Sequence, residues 1–394
     1  MRDLGTLVIL PGLGAARGRG GRLVLTRKFL TGMQAYAERW RGRVSTLMHI
    51  VDEPSNNLDN VEVDPEALPF SVEPLRYGSK QMWERLRGAA VVLGGPDHRL
   101  YGLSRRLRAL RVRSVYCTEY TLGTRIDWIR AETPNPLVGF KRALWELQNE
   151  WRIVRDLGAA HGVQCNGTPT YEAYRKHAPN ALLYFDTRTP ASGFATPQGI
   201  ERRAASLRAG WPLRIAFSGR LLRAKGADHL VSVARWLATH GVRFEMTICG
   251  HGELVPELRA EIARHGLGEQ VRLSGTLDFE TELLPFLRDR IDLFVAPHLQ
   301  GDPSCTYLET LACGVPIAAY ANSAFAGILE QAPVGWSVPV GHPADLAKTI
   351  AKLDLRREEI IERSRAALCF ALDHTFERTF DRRVEHLERL AAAT

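Results

Sequence analysis

Short apolar runs alternate along the chain with longer stretches in which apolar residues recur every three to four positions. Thr6 to Leu10, Val44 to Val51, Ala89 to Leu93, Ser114 to Cys117, Val163 to Cys165 and Ala181 to Phe185 read as buried strands. Between them, Leu23 to Trp40, a helix ending at Leu110 and a long one over about Leu137 to Leu157 read as helices. Residues 52–78, with Pro54, Pro65, Pro69 and Pro74, read as an irregular loop or insertion. Residues 187–212 lack either period and read as a connector. The alternation then restarts: Leu213 to Ser218, Phe244 to Cys249, Val271 to Leu273, Ile291 to Ala296, Val315 to Tyr320 and a strand near Gly335 to Val338. Strand–helix alternation of this kind predicts parallel, doubly wound sheets. The expected architecture is α/β: two Rossmann-like domains facing a central cleft. The boundaries are an N-terminal domain over 1–190, a linker over 191–212, a C-terminal domain over 213–374 and a final helix over 375–394.

Composition supports a globular chain with a sizeable core: 394 residues, 45% hydrophobic and 24% charged. No apolar run reaches membrane-spanning length, and the N-terminal Met-Arg-Asp does not open a charged-then-apolar leader. The six cysteines form no CxxC pair and read as buried free thiols of a reducing compartment; no metal site is expected. The net charge of +8 is uneven. Residues 1–200 hold 28 Lys and Arg against 19 Asp and Glu, a net +9, so the second half is near neutral. Between residues 98 and 118 there is no acid, and Arg99, Arg105, Arg106, Arg108, Arg111 and Arg113 surround the helical stripe Leu100, Leu103, Leu107, Leu110. That pattern fits an anionic membrane surface, or a crossover helix with its Leu face on a sheet.

Candidate chemistry collects after the strands of the second series, where ligands bind in open parallel sheets. Gly219-Arg-Leu-Leu-Arg-Ala-Lys225-Gly226 sets two cations at a strand end, suited to a diphosphate. Gly250-His-Gly252 follows the next strand. Asp302-Pro-Ser304-Cys305-Thr306 leads into a short helix whose N-terminal N–H groups suit a phosphate, with Glu309 one turn in. On local sequence alone, Thr306 and Glu309 equally fit a capping box. In the first half, Gly12 and Gly14 follow the first strand in a loose Gly-rich turn that is not a clean dinucleotide fingerprint.

Together, Gly-Arg-Leu-x-x-x-Lys-Gly, the later Gly-x-Gly and the Glu-containing helix ending in Gly314-Val-Pro resemble the retaining GT-B glycosyltransferases of family four, over about residues 213–350. The resemblance implies that Arg220 and Lys225 hold the diphosphate of a nucleotide-sugar. It also implies that amides around Ser304, Cys305 and Thr306, with Gly250, cradle the phosphates, and that Glu309 holds the ribose. Two departures stand out. Where the family has an acid eight positions before the helix Glu, this chain has Gly301, with Asp302 beside it as the substitute or as a helix cap. Where the family often has a His after a first-domain strand, this chain offers Glu119, while Asp97 and His98 end the preceding strand. No Asp-x-Asp occurs.

The function so implied is retaining transfer of a sugar to a glycan or lipid-linked acceptor in bacterial-type polysaccharide or glycolipid synthesis. No cofactor is expected, and the expected location is cytoplasmic or peripheral on the inner membrane face. A nucleotide-sugar epimerase of the same fold is the enzymatic alternative. A basic nucleic-acid-binding protein is the non-enzymatic one, without a recognisable nucleic-acid motif, so no specific nucleic acid is expected. A dehydrogenase is disfavoured by the broken Gly fingerprint.

Overall fold

The computed structural model describes residues 3–55 and 59–393. Met1 and Arg2 of the N-terminal reading, residues 56–58 of the expected 52–78 loop and Thr394 lie outside it. Among the described residues the strands form two sheets. The first comprises β1 (Thr6–Leu10), β2 (Ala15–Arg17), β3 (Leu23–Thr26), β4 (Val44–Val51), β5 (Asn60–Val63), β6 (Ser71–Leu75), β7 (Ala89–Gly94), β8 (Arg113–Thr118), β9 (Gly162–Asn166) and β10 (Ala181–Tyr184). Its order is β10-β9-β8-β7-β1-β4-β2-β3-β5, with β6 also on β4. The second comprises β11 (Leu213–Ser218), β12 (Phe244–Cys249), β13 (Val271–Gly275), β14 (Leu293–Ala296), β15 (Ile317–Tyr320) and β16 (Gly335–Val338), in the order β13-β12-β11-β14-β15-β16. Every pairing in the second sheet is parallel. Helices cover both faces, so its central strands are apolar throughout, and Leu293 to Ala296 and Ile317 to Tyr320 are fully buried. This is the GT-B fold.

Three expectations are corrected. Leu23 to Thr26 is a strand and not the start of a helix. It pairs antiparallel with β2 and β5, and the helix begins only at Arg27, where the Thr26 hydroxyl accepts the Phe29 N–H. The Gly-rich turn and the proline-rich 52–78 segment are not simple loops: the first supplies β2 and the second β5 and β6. Pro74 is tolerated because β6 pairs with β4 alone. The supposed connector contains the helix Pro197–Arg208, N-capped by Thr196, with Ile200, Ala204 and Leu207 buried on one face. Pro197 and Gly199 sit in its first turn, where a helix accepts proline, and with Pro190, Gly193 and Pro212 outside it they disguised its period.

The expected Leu face of the helix after β7 is core: Leu100, Leu103 and Leu107 are buried, while Arg105, Arg106 and Arg108 stay exposed. The final helix, Phe376–Ala392, returns to the first sheet and buries Phe380, Val384, Leu387 and Leu390 beside Leu7, Ile9 and Tyr36. Three of the six cysteines are buried and all six are free, but Cys369 is exposed, contrary to expectation. Among the described residues, no helix is long and apolar enough to cross a membrane.

Candidate active site

The carboxyl ends of β11, β12 and β14 converge on one side of the cleft. Gly250 has φ +133°, and a Cβ there would overlap the Gly219 carbonyl. The two loops therefore touch backbone to backbone, which a larger residue would prevent.

Lys225 is buried on this rim, and its ammonium pairs with both oxygens of Asp302, at 2.7 and 3.0 Å. Burial pushes the Asp302 carboxyl up, but the Lys225 ammonium outweighs it and holds the group below the ordinary range; the Asp302 N–H donates to the Gln300 side chain at 2.6 Å. Asp302 is thus an ionised hydrogen-bond acceptor and not an acid. It does not cap the helix: among the described contacts, the helix Cys305–Ala312 starts at Ser304 with no side-chain cap. A Cβ at Gly301 would overlap the Ser323 hydroxyl. That contact gives a steric reason for glycine at the position where the resemblance calls for an acid.

Glu309 is buried one turn into that helix. The capping-box reading of Thr306 and Glu309 is overturned, because Thr306 lies inside the helix. Glu309 instead accepts a hydrogen bond from Arg188 Nε at 2.8 Å. The Arg188 guanidinium lies 4.0 Å from the Phe279 ring centroid, and burial, which would weaken its charge, is outweighed by Glu309.

A second group spans the cleft at the helix start. Lys28, from the first helix, pairs with Asp186 at 2.6 Å and donates to Cys305 Sγ at 3.0 Å. Glu119 faces the same space. Its surface is open to the cleft, but protein mass around it pushes its carboxyl up. Lys28 and, less strongly, Arg383 oppose that shift, while Asp186 and Asp302 add to it. Nearby, His298 is buried with Nε2 unpartnered, and burial followed by Lys225 takes it down to about 3, so the ring is neutral.

The helix Leu122–Glu132 of the first domain reaches the cation loop. Glu132 Oε1 accepts the Ala224 N–H at 2.6 Å, Arg220 lies 5.6 Å from the Trp128 ring centroid, and Thr124 Oγ1 donates to the Gly301 carbonyl at 3.2 Å. Arg220 itself is exposed.

The structure therefore brings Lys225 to Asp302, and sets Cys305, Glu119 and Glu309 around the same helix start. Gly12 and Gly14 occupy another neighbourhood. The Gly12 carbonyl accepts from Arg99 at 3.3 Å, Arg99 is forked on Asp97 at 2.9 and 3.0 Å, and Gly14 is packed against Val51. His98 is exposed beside Trp145. The sequence reading missed Lys28, Asp186, Arg188 and Glu132. Two signals existed. Arg27 and Lys28 open a helix, where cations oppose the dipole. Asp186 and Arg188 are the only Lys, Arg, Asp or Glu between Lys176 and Glu201.

Residues 200–366 match the family described as glycosyl transferases group 1. The match lies wholly within the second half of the chain. Among curated proteins, the chain is 31% identical over 157 residues to the amylovoran biosynthesis glycosyltransferase AmsK of Erwinia amylovora, covering 38% of each chain. It is 25% identical over 171 residues to the 2-deoxystreptamine glucosyltransferase of Streptomyces kanamyceticus, covering 43% of each. These matches thus span less than half the length of the relatives. Among solved structures, Anabaena HepE in complex with UDP superposes with a TM-score of 0.69 at 16% identity, over 98% of this chain and 100% of that one. HepE was also solved with UDP-glucose. The likeness carries the GT-B fold across both halves of the chain.

Proposed function

We propose that this chain transfers a sugar from a nucleotide-sugar to a glycan or lipid-linked acceptor, with retention, in polysaccharide or glycolipid synthesis. One observation carries the reading: Glu309 is buried beside an uncapped helix start and is held by Arg188, not by the helix it sits in. A carboxylate so placed is suited to the two ribose hydroxyls of a nucleotide whose phosphates meet the free N–H groups of that helix. The glycosyltransferases AmsK and 2-deoxystreptamine glucosyltransferase, and the UDP bound by HepE, support the same class.

In this reading residues 213–374 hold the donor and 1–190 the acceptor. Arg220 supplies a forked contact to the diphosphate and Lys225 a point charge, with Ser304, Cys305, Thr306 and Gly250 lining its path. These fixed positive groups stabilise the negative charge that grows as the bond from C1 to the phosphate oxygen breaks. The acceptor oxygen bonds to C1 from the leaving-group face, and its proton passes to the departing diphosphate. Asp302 orients hydroxyls of the transferred sugar, and Glu119 faces the incoming acceptor. Gly12 and Gly14 shape the acceptor side of the cleft. No cofactor takes part. The free thiols suit the cytoplasmic side of a cell, with the protein peripheral on the membrane.

The test is incubation with a panel of UDP-, GDP-, ADP- and CDP-sugars and acceptor extracts, followed by NMR of the product's anomeric centre. A retained anomeric configuration on a new acceptor bond is expected. A donor isomerised without any acceptor would replace this reading with an epimerase, and an inverted product would remove retention.

A further inference from the structure

Among the described residues, the helix Pro136–Ala159 leaves a broad apolar face without a partner. Leu137, Phe140, Leu144, Leu147 and Trp151 follow spacings of three and four residues, and they are 79%, 71%, 48%, 54% and 63% exposed. Trp145, 48% exposed, widens the stripe well beyond a coiled-coil seam. Single exposed apolar residues are ordinary, but a continuous stripe of this size marks an interaction surface.

The charges on the helix are sorted. Glu146 and Glu150 turn inward onto Arg125, at 2.6 and 2.5 Å, and Asp156 is buried, accepting the Gly102 N–H at 2.7 Å. Lys141, Arg142, Arg152 and Arg155 are exposed. The face shown to solvent is therefore apolar, rich in aromatic residues, and positive. We infer that the helix Pro136–Ala159 docks the protein on an anionic lipid bilayer. Phe, Leu and Trp side chains would enter the acyl boundary while Lys and Arg meet the headgroups. A second copy on this face would set cations against cations with no exposed acid to answer them, and a nucleic acid would leave the apolar stripe in water. The exposed Arg105, Arg106 and Arg108 on the adjacent helix extend the same positive field.

The placement reaches beyond the donor site. The docking helix packs against the helix Leu122–Glu132, whose Glu132 binds the cation loop. A membrane surface and the donor loop thus lie on the two sides of one helical pair, and the surface needs no nucleotide to act.

The test is sedimentation of the full chain with phosphatidylcholine vesicles, with and without phosphatidylglycerol, at low and high salt and without donor. The wild type is expected to bind the anionic vesicles. F140S/L144S/W151S should lower partitioning by about a hundredfold or more, given the apolar area each side chain contributes. K141E/R152E/R155E should abolish the preference for phosphatidylglycerol. The melting temperature of both variants should match the wild type, because all six side chains are exposed. Failure of the wild type to sediment, or unchanged sedimentation of the apolar variant, overturns the inference. So does a concentration-dependent dimer that dissociates in the apolar variant, which would assign the face to a second copy. None of these outcomes depends on donor binding, so they leave the glycosyl-transfer reading to its own test.

Discussion

Removing Lys225 should unfold the rim of the second domain before it disturbs catalysis. The Lys225 and Asp302 side chains are only 8% and 10% exposed, and their contact is nearly ideal. Lys225→Met keeps the length of the side chain but leaves Asp302 buried and unpaired. Breaking a buried pair from one side typically costs about 3–5 kcal/mol. For a domain of this size that corresponds to a fall in Tm of roughly 6–20 °C. Asp302→Asn should cost less, since the amide still accepts from the ammonium. The double variant K225M/D302N removes both charges and should recover most of the loss, giving a coupling of about 2 kcal/mol or more.

The pH dependence adds an independent check. In the wild type Asp302 is held below its ordinary range, so its contribution is complete above about pH 4 and is lost as pH falls through the depressed value. In K225M the opposing cation is gone and burial is left to raise the same carboxyl. Protonation then relieves the penalty, so the Tm deficit of K225M should shrink from pH 7.5 toward pH 5, while that of D302N stays level. The assay is differential scanning calorimetry of the four proteins at both pH values. Strict additivity of the two single variants, or a deficit in K225M that is flat with pH, would refute the reasoning. Donor turnover in K225M/D302N, which folds, should still be about ten- to a hundredfold low if Lys225 also serves the diphosphate.

Transfer should survive a chelator, because the sequence holds no Asp-x-Asp to clamp a metal diphosphate; complete loss restored by magnesium or manganese would count against the proposed site. Glu119→Gln should remove an acidic limb from the kcat/KM profile, since the raised carboxyl accepts a hydroxyl hydrogen bond more strongly once ionised; an unchanged profile would return Glu119 to the status of a loop acid. Glu132→Gln should weaken the contact with the Ala224 N–H by roughly 1 kcal/mol, the difference between a charged and a neutral acceptor, and raise donor KM more than it lowers kcat. Replacing Arg105, Arg106 and Arg108 by Gln should reduce binding to anionic vesicles chiefly at low salt.

Much of the fold was legible because central parallel strands are apolar without interruption. Leu293 to Ala296 and Ile317 to Tyr320 leave no other reading once Gly314 stops the helix between them. The edge of the first sheet was less legible. β2, β3 and β5 are three or four residues long and interleaved with Gly and Pro; β2 and β3 pair locally, but their other partners, β4 and β5, lie tens of residues away. Ion pairs across the cleft had the same difficulty. Nothing near Lys28 in the sequence points to Asp186, and Arg188 reaches Glu309 across 121 positions. The Lys225–Asp302 contact shows the limit from the other side. Both residues were singled out, but the burial that makes them depend on each other appears only when Gly226 packs on the Pro297 carbonyl and the Leu299 N–H bonds to the Ala224 carbonyl. Exposure on the helix Pro136–Ala159 was invisible for a similar reason, since an amphipathic pattern does not say which face the sheet will take.

The most direct measurement is nucleotide binding to the wild type and to Glu309→Gln, with each nucleotide tested also as its 2′,3′-dideoxy form. Glu309 is buried and not a helix cap, so the substitution should leave the helix intact and change only what Arg188 and the ribose meet. Calorimetric titration should show the wild type binding the ordinary nucleotide more tightly than Glu309→Gln by about 1–2 kcal/mol, the difference between charged and neutral acceptors. That gap should close with the dideoxy nucleotide, giving a coupling of similar size. Equal losses for both nucleotides, and hence a coupling near zero, would contradict a nucleotide-sugar site built on Glu309.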